Sequence, residues 1–81
     1  MIHTNEIVVG KTVFNAKGDA IGLIHQFVKD SYSGKIISVL IVPSKKLNLQ
    51  NYSLTKNGEI VFPVSWFSTV KNAIIIEEPV M

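Results

Sequence analysis

The segment Ile36 to Val42 limits the fold of this chain more than any other part of the sequence. All of its residues except Ser38 are apolar, and it ends at Pro43, well short of the ~20 residues that a membrane-spanning helix needs. As a strand it would present apolar side chains on both faces, whereas one face of an antiparallel sheet normally meets water. We therefore expect this strand to be central in a closed barrel or to cover a partner with its second face.

The composition favours strands throughout the chain. Isoleucine and valine make up 21 of the 81 residues, and the four threonines bring the β-branched residues to 25. No window longer than about ten residues has the apolar pattern of an amphipathic helix. The sequence therefore predicts one domain over residues 1–81 with an all-β fold. The expected architecture is a small closed or partly open antiparallel β-barrel of five to six strands with one short helical turn.

Strands and one turn are predicted before residue 30. Glu6 to Val9 and Val13–Phe14 form one bent strand or two short ones, and Asn15 to Asp19 has the asparagine and glycine of a hairpin turn. Ala20 to Lys29 follows as a strand whose apolar residues change parity at Gly22. We expect a bulge or sharp bend at that glycine, which would turn both apolar sets inward. The two sets are Ile21, Leu23 and Phe27, and Ile24 and Val28.

The clearest local pattern is a tight hairpin in the second half of the chain. Segments Ser53 to Lys56 and Glu59 to Phe62 flank Asn57–Gly58. Both of these turn residues tolerate the positive φ of a type I′ turn, so a type I′ hairpin is expected here.

Irregular segments and a proline divide the rest of the second half. Ser44 to Tyr52 is a long connection, and we expect it to be the segment that varies or moves most. Pro63 ends the second strand of the hairpin, because proline cannot donate to a sheet ladder. Ser65 to Ser68 can form a single helical turn, and Ala73 to Glu78 is the last predicted strand.

Charge and cysteine content exclude several classes of protein. Eight lysines against six acidic residues give a net charge of +2, and arginine, whose planar fork dominates guanine and phosphate recognition, is absent. Without cysteine the chain has no disulfide framework and no thiolate metal site. Met1 to Glu6 has neither the basic nor the apolar region of a signal peptide, so we expect a cytoplasmic protein.

No constellation of residues predicts catalysis. His3 and His25 are the only histidines, and neither has a carboxylate or second histidine at a useful spacing, so we interpret His25 as a surface or partly buried residue. Glu77 and Glu78 are adjacent on a strand, so their side chains point to opposite faces and cannot act as a pair. We expect no enzyme activity, no cofactor and no metal. A cleft holding a strongly perturbed His25 beside a carboxylate would reopen the enzyme hypothesis.

Two groups of residues are candidates for contact with a partner. Lys45 and Lys46, with Tyr52 nearby, could contact single-stranded RNA through charge and stacking, or could belong to an ordinary solvated loop. Trp66 and Phe67 are large aromatic residues on one short turn. Either one fills the core while the other faces a partner, or both are core residues.

The two-faced strand also raises the question of self-association. Only one of its faces can line the interior of a barrel, so the other must be covered. A second copy could cover it about a two-fold axis, with Val39 and Ile41 as contact residues. Alternatively, the long connection could fold back and bury Leu47 and Leu49. The sequence leaves a homodimer and a self-covered monomer both open.

The turns and apolar positions of the chain match a known pattern. In the first half the matching runs are Gly10 to Val13, Gly18 to Ile24 and Ser33 to Ile36, followed by Val39 to Val42. In the second half they are Asn57 to Pro63, Val70 and Ala73 to Ile76. Together these motifs resemble the PRC-barrel domain, in particular its stand-alone archaeal-type members. A typical member has an acidic residue in the region where this chain has Gln26, so no role of that acid is carried over.

The resemblance implies a small β-barrel that docks onto other proteins without catalysis. Relatives are the cytoplasmic domain of the photosynthetic reaction centre H subunit and a domain of the ribosome maturation factor RimM, and stand-alone archaeal relatives are linked to cell-division assemblies. We therefore expect a protein–protein adaptor, with cell-division assemblies as its setting. The alternative is an accessory factor of ribosome maturation or RNA metabolism. A shared fold does not choose between these partners.

Overall fold

The computed structural model describes residues 8–78, which form a curled six-stranded sheet. The strands are β1 (Thr12–Asn15), β2 (Ala20–Lys29), β3 (Ile36–Pro43), β4 (Ile60–Pro63), β5 (Phe67–Val70) and β6 (Ala73–Ile76). A 3-10 turn at Val64–Trp66 joins β4 to β5. Within this part of the chain, no helix has the length and apolar character needed to cross a membrane.

The strands lie in the order β4-β3-β2-β1-β6-β5. Neighbours pair antiparallel except β1 and β6, which are parallel, so the sheet is mixed rather than purely antiparallel as predicted. Across residues 8–78 the two edge strands, β4 and β5, do not pair with each other. The short 3-10 turn nevertheless keeps these edges close, with the ring centroids of Phe62 and Phe67 6.4 Å apart. The all-β prediction is confirmed as a partly open barrel.

Two rows of side chains across β2, β3 and β4 form the centre of the core. The first row is Ile24, Ile41 and Ile60, and the second is Phe27, Val39 and Phe62. Val39 and Ile41 are both 0% exposed. These two residues therefore cannot contact a partner from the folded chain, and the prediction that they form an interface is corrected: they are core residues.

β2 has its predicted bounds, and two of the three register irregularities along it place an extra residue on β2 itself. One falls at Ile21, which has no partner on β1, and the other at His25, which has none on β3. Each extra residue reverses the alternation of side chains along the strand. As a result Ile21, Ile24 and Phe27, three residues apart, all pack in or against the interior.

Gly22 is required by a close approach of two backbones. A Cβ at this position would lie 2.1 Å from the carbonyl oxygen of Val42, so β2 and β3 could not keep their spacing with any larger residue. Leu23 and Val28, on the other hand, stay on the outer face, 46% and 38% exposed. The expectation that both apolar sets turn inward at Gly22 is wrong for these two residues.

The predicted hairpin at Asn57–Gly58 is present, but its turn is not of type I′. Gly58 has a φ of +83°, whereas Asn57 is not among the residues with positive φ. The N–H of Gly58 donates to the carbonyl of Thr55 at 2.9 Å, and the N–H of Thr55 donates to the carbonyl of Glu59 at 2.8 Å. This is a three-residue loop, a type I turn followed by a glycine bulge. The two-residue loop with positive φ at both positions is Lys71–Asn72, between β5 and β6.

Several predicted boundaries differ from the observed ones. The helical turn is Val64–Trp66 rather than Ser65 to Ser68, and Phe67 instead begins β5, a strand that the sequence did not predict. β6 ends at Ile76, two residues before Glu78. Of the strand predicted at Glu6 to Val9, residues 6 and 7 lie outside the described residues, and residues 8 and 9 are not in a strand.

The long connection Ser44 to Tyr52 is irregular, as predicted, and folds back over the barrel. Leu47 and Leu49 both pack against the core cluster. The outer face of β3 keeps Val42 44% exposed, while Leu40 on the same face is 9% exposed. The connection therefore buries its own leucines against the core, and part of the outer face of β3 stays in solvent.

Candidate docking groove

A groove lies between the β1–β2 turn and the long connection. It consists of two adjoining depressions of about 310 and 370 Å³, which share Asn15 and Asp19 as lining residues. The first depression is completed by Ala16, Lys17, Ile21, Tyr52, Ile76 and Glu78. The second is completed by Ala20, Ser44, Lys46, Leu47 and Asn48.

One wall of the groove is a turn fixed by its own hydrogen bonds. The side-chain oxygen of Asn15 accepts from the N–H of Lys17 at 3.0 Å and from the N–H of Asp19 at 2.9 Å. The N–H of Gly18 donates to the carbonyl of Asn15 at 3.0 Å, and Gly18 has a φ of +92°. A positive φ costs glycine little, so the turn forms without strain. This wall is therefore preformed.

The other wall is anchored to the barrel by one backbone bond and by an aromatic contact. The N–H of Ser44 donates to the carbonyl of Ile21 on β2 at 2.7 Å, whereas the bond from the N–H of Tyr52 to the carbonyl of Leu49, at 3.2 Å, closes a turn within the connection. The ring of Tyr52 meets the ring of Phe62 edge-on, with centroids 5.7 Å apart. Edge-to-face packing of this kind stabilises an aromatic pair beyond the area that it buries. The connection is thus fixed to the core at both of its ends.

Apolar side chains line the inner part of the groove. Ile21 and Ile76 are 2% and 3% exposed, and Leu47 and Tyr52 are partly buried against the core. Burial raises the pKa of the Tyr52 phenol above its ordinary value of 10.0, and the negative charge of Glu78 raises it further. The phenol therefore stays neutral at pH 7 and can donate or accept a hydrogen bond.

Charges of both signs line the outer part of the groove. These are the ammonium groups of Lys17 and Lys46 and the carboxylates of Asp19 and Glu78. Within residues 8–78, no ion pair joins any of these four groups to another. Apart from the 3.5 Å contact between the Asn15 amide and the Asp19 carboxylate, these charged groups can therefore contact groups from outside the chain. An apolar floor with a small number of charged and polar groups around it is the usual composition of a binding site.

The structure divides the predicted partner residues into three groups. Lys46 and Tyr52 come together in the groove, and Lys45 beside them is exposed but does not line it. Trp66 is half-buried with its ring 6.0 Å from that of Phe62. Phe67 is 2% exposed and, with Val39 and Ile41, belongs to the core. Phe67 is thus the aromatic residue that fills the core, and the prediction that it contacts a partner is corrected.

Sequence reasoning missed the residues that the β1–β2 turn brings to the groove. Asn15, Lys17 and Asp19 were recognised only as parts of a hairpin turn, and Glu78 only as the end of a strand. An asparagine followed three residues later by glycine indicates the turn correctly. Nothing in the sequence indicates that Lys46 would lie across from it, because the two walls are separated by the whole of β2 and β3.

A second polar feature is a pair of residues that links β2 to the hairpin before β4. Glu59 is only 7% exposed, and its carboxylate contacts Nδ1 of His25, which is half-exposed. The hydroxyl of Thr55 lies 3.5 Å from the other carboxylate oxygen. His25 thus has the carboxylate neighbour that the sequence did not predict. Neither His25 nor Glu59 lines the groove, and no cluster of three metal-ligating residues occurs within residues 8–78.

Fold and groove together define a small partly open β-barrel with a preformed binding surface of mixed polarity. A family model for the PRC-barrel domain matches residues 6–80, nearly the whole chain, and the chain therefore belongs to the PRC-barrel family. PRC-barrel domains are small β-barrels that mediate protein–protein interaction and are generally non-catalytic. No curated protein matches the chain.

Proposed function

We propose that this protein is a non-enzymatic adaptor of the cytoplasm that binds a partner protein in the groove between the β1–β2 turn and the long connection. The observation that carries the proposal is the composition of the groove. Its floor of Ile21, Ile76 and Tyr52 accepts an apolar side chain, while ammonium and carboxylate groups that form no ion pair with one another within residues 8–78 surround it. A protein segment with an apolar anchor and flanking polar groups is complementary to such a surface.

The same charges favour a protein over RNA. Lys46 and Tyr52 supply the charge and the aromatic face that single-stranded RNA would need. However, the carboxylates of Asp19 and Glu78 line the same groove and would repel phosphate groups. Peptides carry charges of both signs and can therefore form ion pairs with both the lysines and the carboxylates of the groove. The role in ribosome maturation or RNA metabolism is therefore the less favoured alternative, and it is an outcome of the test below.

For the setting of the adaptor we propose a cell-division assembly. The support for this setting is the resemblance to stand-alone archaeal-type members of the family. A partner recovered through the groove would identify the assembly directly.

A pull-down with two matched charge-reversal variants tests the proposal. The tagged wild type, the groove variant Lys17→Glu/Lys46→Glu and the control variant Lys35→Glu/Lys56→Glu are each incubated with a lysate of the source organism. Lys35 and Lys56 are exposed turn residues that do not line the groove, so both variants change the net charge equally. Bound proteins are identified by mass spectrometry, and the binding is then repeated with the purified partner.

The expected result is a protein that the wild type and the control variant retain and the groove variant loses. Loss of two charged contacts should weaken binding at least about tenfold. Equal capture by all three proteins would overturn the groove as the binding site. Binding of a single-stranded RNA oligonucleotide that falls steeply as salt rises would instead support the RNA alternative, because lysine–phosphate contacts release counterions.

A further inference from the structure

The two edges of the open sheet differ in how well they are protected. Beside β4, the chain before the hairpin forms a bridge between Leu54 and Ile60, and the N–H of Val61 donates to the carbonyl of Ser53 at 2.9 Å. β4 also ends in Pro63, which has no N–H to offer. Within residues 8–78, β5 pairs only with β6 and leaves its other side open. Among residues 8–78, the barrel therefore has one covered edge, at β4, and one free edge, at β5.

The hydrogen-bond pattern of β5 shows which main-chain groups point to the free side. The two-residue loop makes Val70 and Ala73 a hydrogen-bonded pair, and the N–H of Glu77 donates to the carbonyl of Trp66 at 2.8 Å. Because bonding alternates along an antiparallel pair, Ser68 and Val70 bond to β6, and the residues between them turn their main-chain groups away from it. The outward residues are therefore Phe67 and Thr69.

Three of the four outward main-chain groups have no hydrogen-bond partner among residues 8–78. The N–H of Phe67 donates to the carbonyl of Val64 in the 3-10 turn. The N–H and carbonyl of Thr69 and the carbonyl of Phe67 have no hydrogen-bond partner among residues 8–78. Thr69 and Val70 are both exposed, Val70 by 55%. β5 thus offers main-chain donors and acceptors beside an apolar side chain.

Apart from its short length of four residues, β5 lacks the features that normally keep edge strands from pairing. Proteins usually protect such strands with lysine, proline, a bulge or a covering segment. β5 has none of these, since its residues Phe67, Ser68, Thr69 and Val70 are all uncharged and its register with β6 is regular. An extended strand can pair here without opposing any charge within β5.

We propose that the free edge of β5 pairs with β5 of a second copy of this chain, antiparallel and about a two-fold axis at Thr69. The two copies of Thr69 would exchange both N–H to carbonyl bonds, and Ser68 would lie opposite Val70 of the second copy. Threonine pairs are favourable across antiparallel strands because their hydroxyl groups can hydrogen-bond to each other. The strand is therefore complementary to itself.

The covered edge explains why the association should stop at two copies. A sheet with two free edges can add copies in a row without end, whereas a contact that uses the same edge twice closes on itself. Because Leu54 and Pro63 block the β4 edge, only β5 remains for pairing. This dimer differs from the one considered for the apolar strand β3, since Val39 and Ile41 take no part in it. It also stands independently of the adaptor proposal, because Thr69 does not line the groove.

Charge substitution at the two-fold axis tests the proposal. Thr69→Lys places two ammonium groups opposite each other, and Thr69→Glu places two carboxylates there. Thr12→Lys is the matched control, because Thr12 is also an exposed strand threonine but lies on β1, inside the sheet. Analytical ultracentrifugation measures the mass of each protein against the chain mass of 9.0 kDa.

We expect wild type and Thr12→Lys to reach twice the chain mass, and each Thr69 variant to raise the dimer dissociation constant at least about tenfold. An equimolar mixture of Thr69→Lys and Thr69→Glu should recover the dimer, because opposite charges then face each other. A wild type that stays at 9.0 kDa up to about 1 mM would overturn the proposal. So would Thr69 variants that remain dimeric, or a mixture that does not recover.

Discussion

The turn at Asn15–Asp19 and the turn at Thr55–Glu59 have the same backbone and opposite surroundings. In each turn a side-chain oxygen of the first residue accepts from the N–H groups two and four residues later. In each the fourth residue is a glycine with positive φ, and the fifth is an acid whose side chain lies 3.5 Å from that of the first residue. The local chemistry of the two turns is therefore equivalent.

The acids at the ends of these turns nevertheless have different roles. Asp19 is exposed and lines the groove, while Glu59 is 7% exposed and contacts His25. A buried carboxylate needs a partner, since an unpaired one would be costly to remove from water. A turn motif thus fixes the path of the backbone. The surrounding strands decide whether its acid faces a ligand or holds two parts of the barrel together.

The two turns should differ most in stability when the residue beside each acid is replaced. His25→Ala should lower the free energy of unfolding by about 1–3 kcal/mol, because the Glu59 carboxylate keeps only the distant Thr55 hydroxyl. Lys17→Ala, beside the exposed acid, should change it by less than about 0.5 kcal/mol. Urea denaturation at pH 7 measures both. In the double variant His25→Ala/Glu59→Gln, the loss should be smaller than the sum of the single losses.

A smaller difference in stability is expected when the first residue of each turn is replaced. Thr55→Val should cost about 1–2 kcal/mol, because two N–H groups lose their acceptor in a partly buried turn. Asn15→Ala should cost about 0.5–1 kcal/mol, because its turn is exposed and water can replace the lost acceptor. Both are measured by urea denaturation. Equal losses would show that burial does not distinguish the two turns.

Replacing the glycine of each turn should cost the two turns the same stability. Gly18 and Gly58 have φ angles of +92° and +83°, and a Cβ on either would meet no atom within 4 Å. Gly18→Ala and Gly58→Ala should therefore each cost about 1 kcal/mol through the backbone alone. Thermal unfolding of the two variants should give matching midpoints. A much larger loss of stability in Gly58→Ala would mean that neighbouring atoms contact the added methyl group.

The smallest effect on stability is expected in a third turn, where the carboxylate of Asp30 accepts hydrogen bonds from nearby backbone N–H groups. The N–H groups of Ser33 and Tyr32 donate to Asp30 and lower the pKa of its carboxyl below the ordinary 3.8. Since the folded pKa is the lower one, this stabilisation is present above pH 3.8 and disappears as the pH falls through the folded pKa.

Two measurements check this effect. Carboxyl NMR titration should place Asp30 below 3.8 in the folded protein. The variant Asp30→Asn should lose less stability than the wild type between pH 5 and pH 3, because it has no carboxyl to protonate. A carboxyl that titrates at or above 3.8 would contradict the contribution of the two N–H groups.

The sequence predicted the elements better than it predicted their partners. β2 has its predicted bounds, and Asn15 to Asp19 is a turn, because glycine, asparagine and β-branched residues act through local sterics. The type of the Asn57–Gly58 turn was wrong, since the same dipeptide fits loops of two or three residues. The loop length follows from the pairing of Leu54 with Ile60, a register that the dipeptide alone does not reveal.

The candidate groove was predicted only in part, for a similar reason. Lys46 and Tyr52 were singled out because their residue types suit a contact surface, and both line the groove. Val39 and Ile41 were assigned to an interface because the sequence showed two apolar faces on one strand without showing which face turns inward. The extra residues of β2 and the curl of the sheet decide that question, and both depend on contacts far apart in the chain.

The sequence by itself determined an all-β chain of short strands, glycine turns and one helical turn, because these follow from the dihedral preferences of neighbouring residues. Only the tertiary structure decided the parallel pairing of β1 with β6 and the contact of His25 with Glu59. These pairs join residues more than 30 positions apart in the chain. Such contacts form only once register and bulges have set the curvature of the sheet, and that curvature is a property of all the strands together.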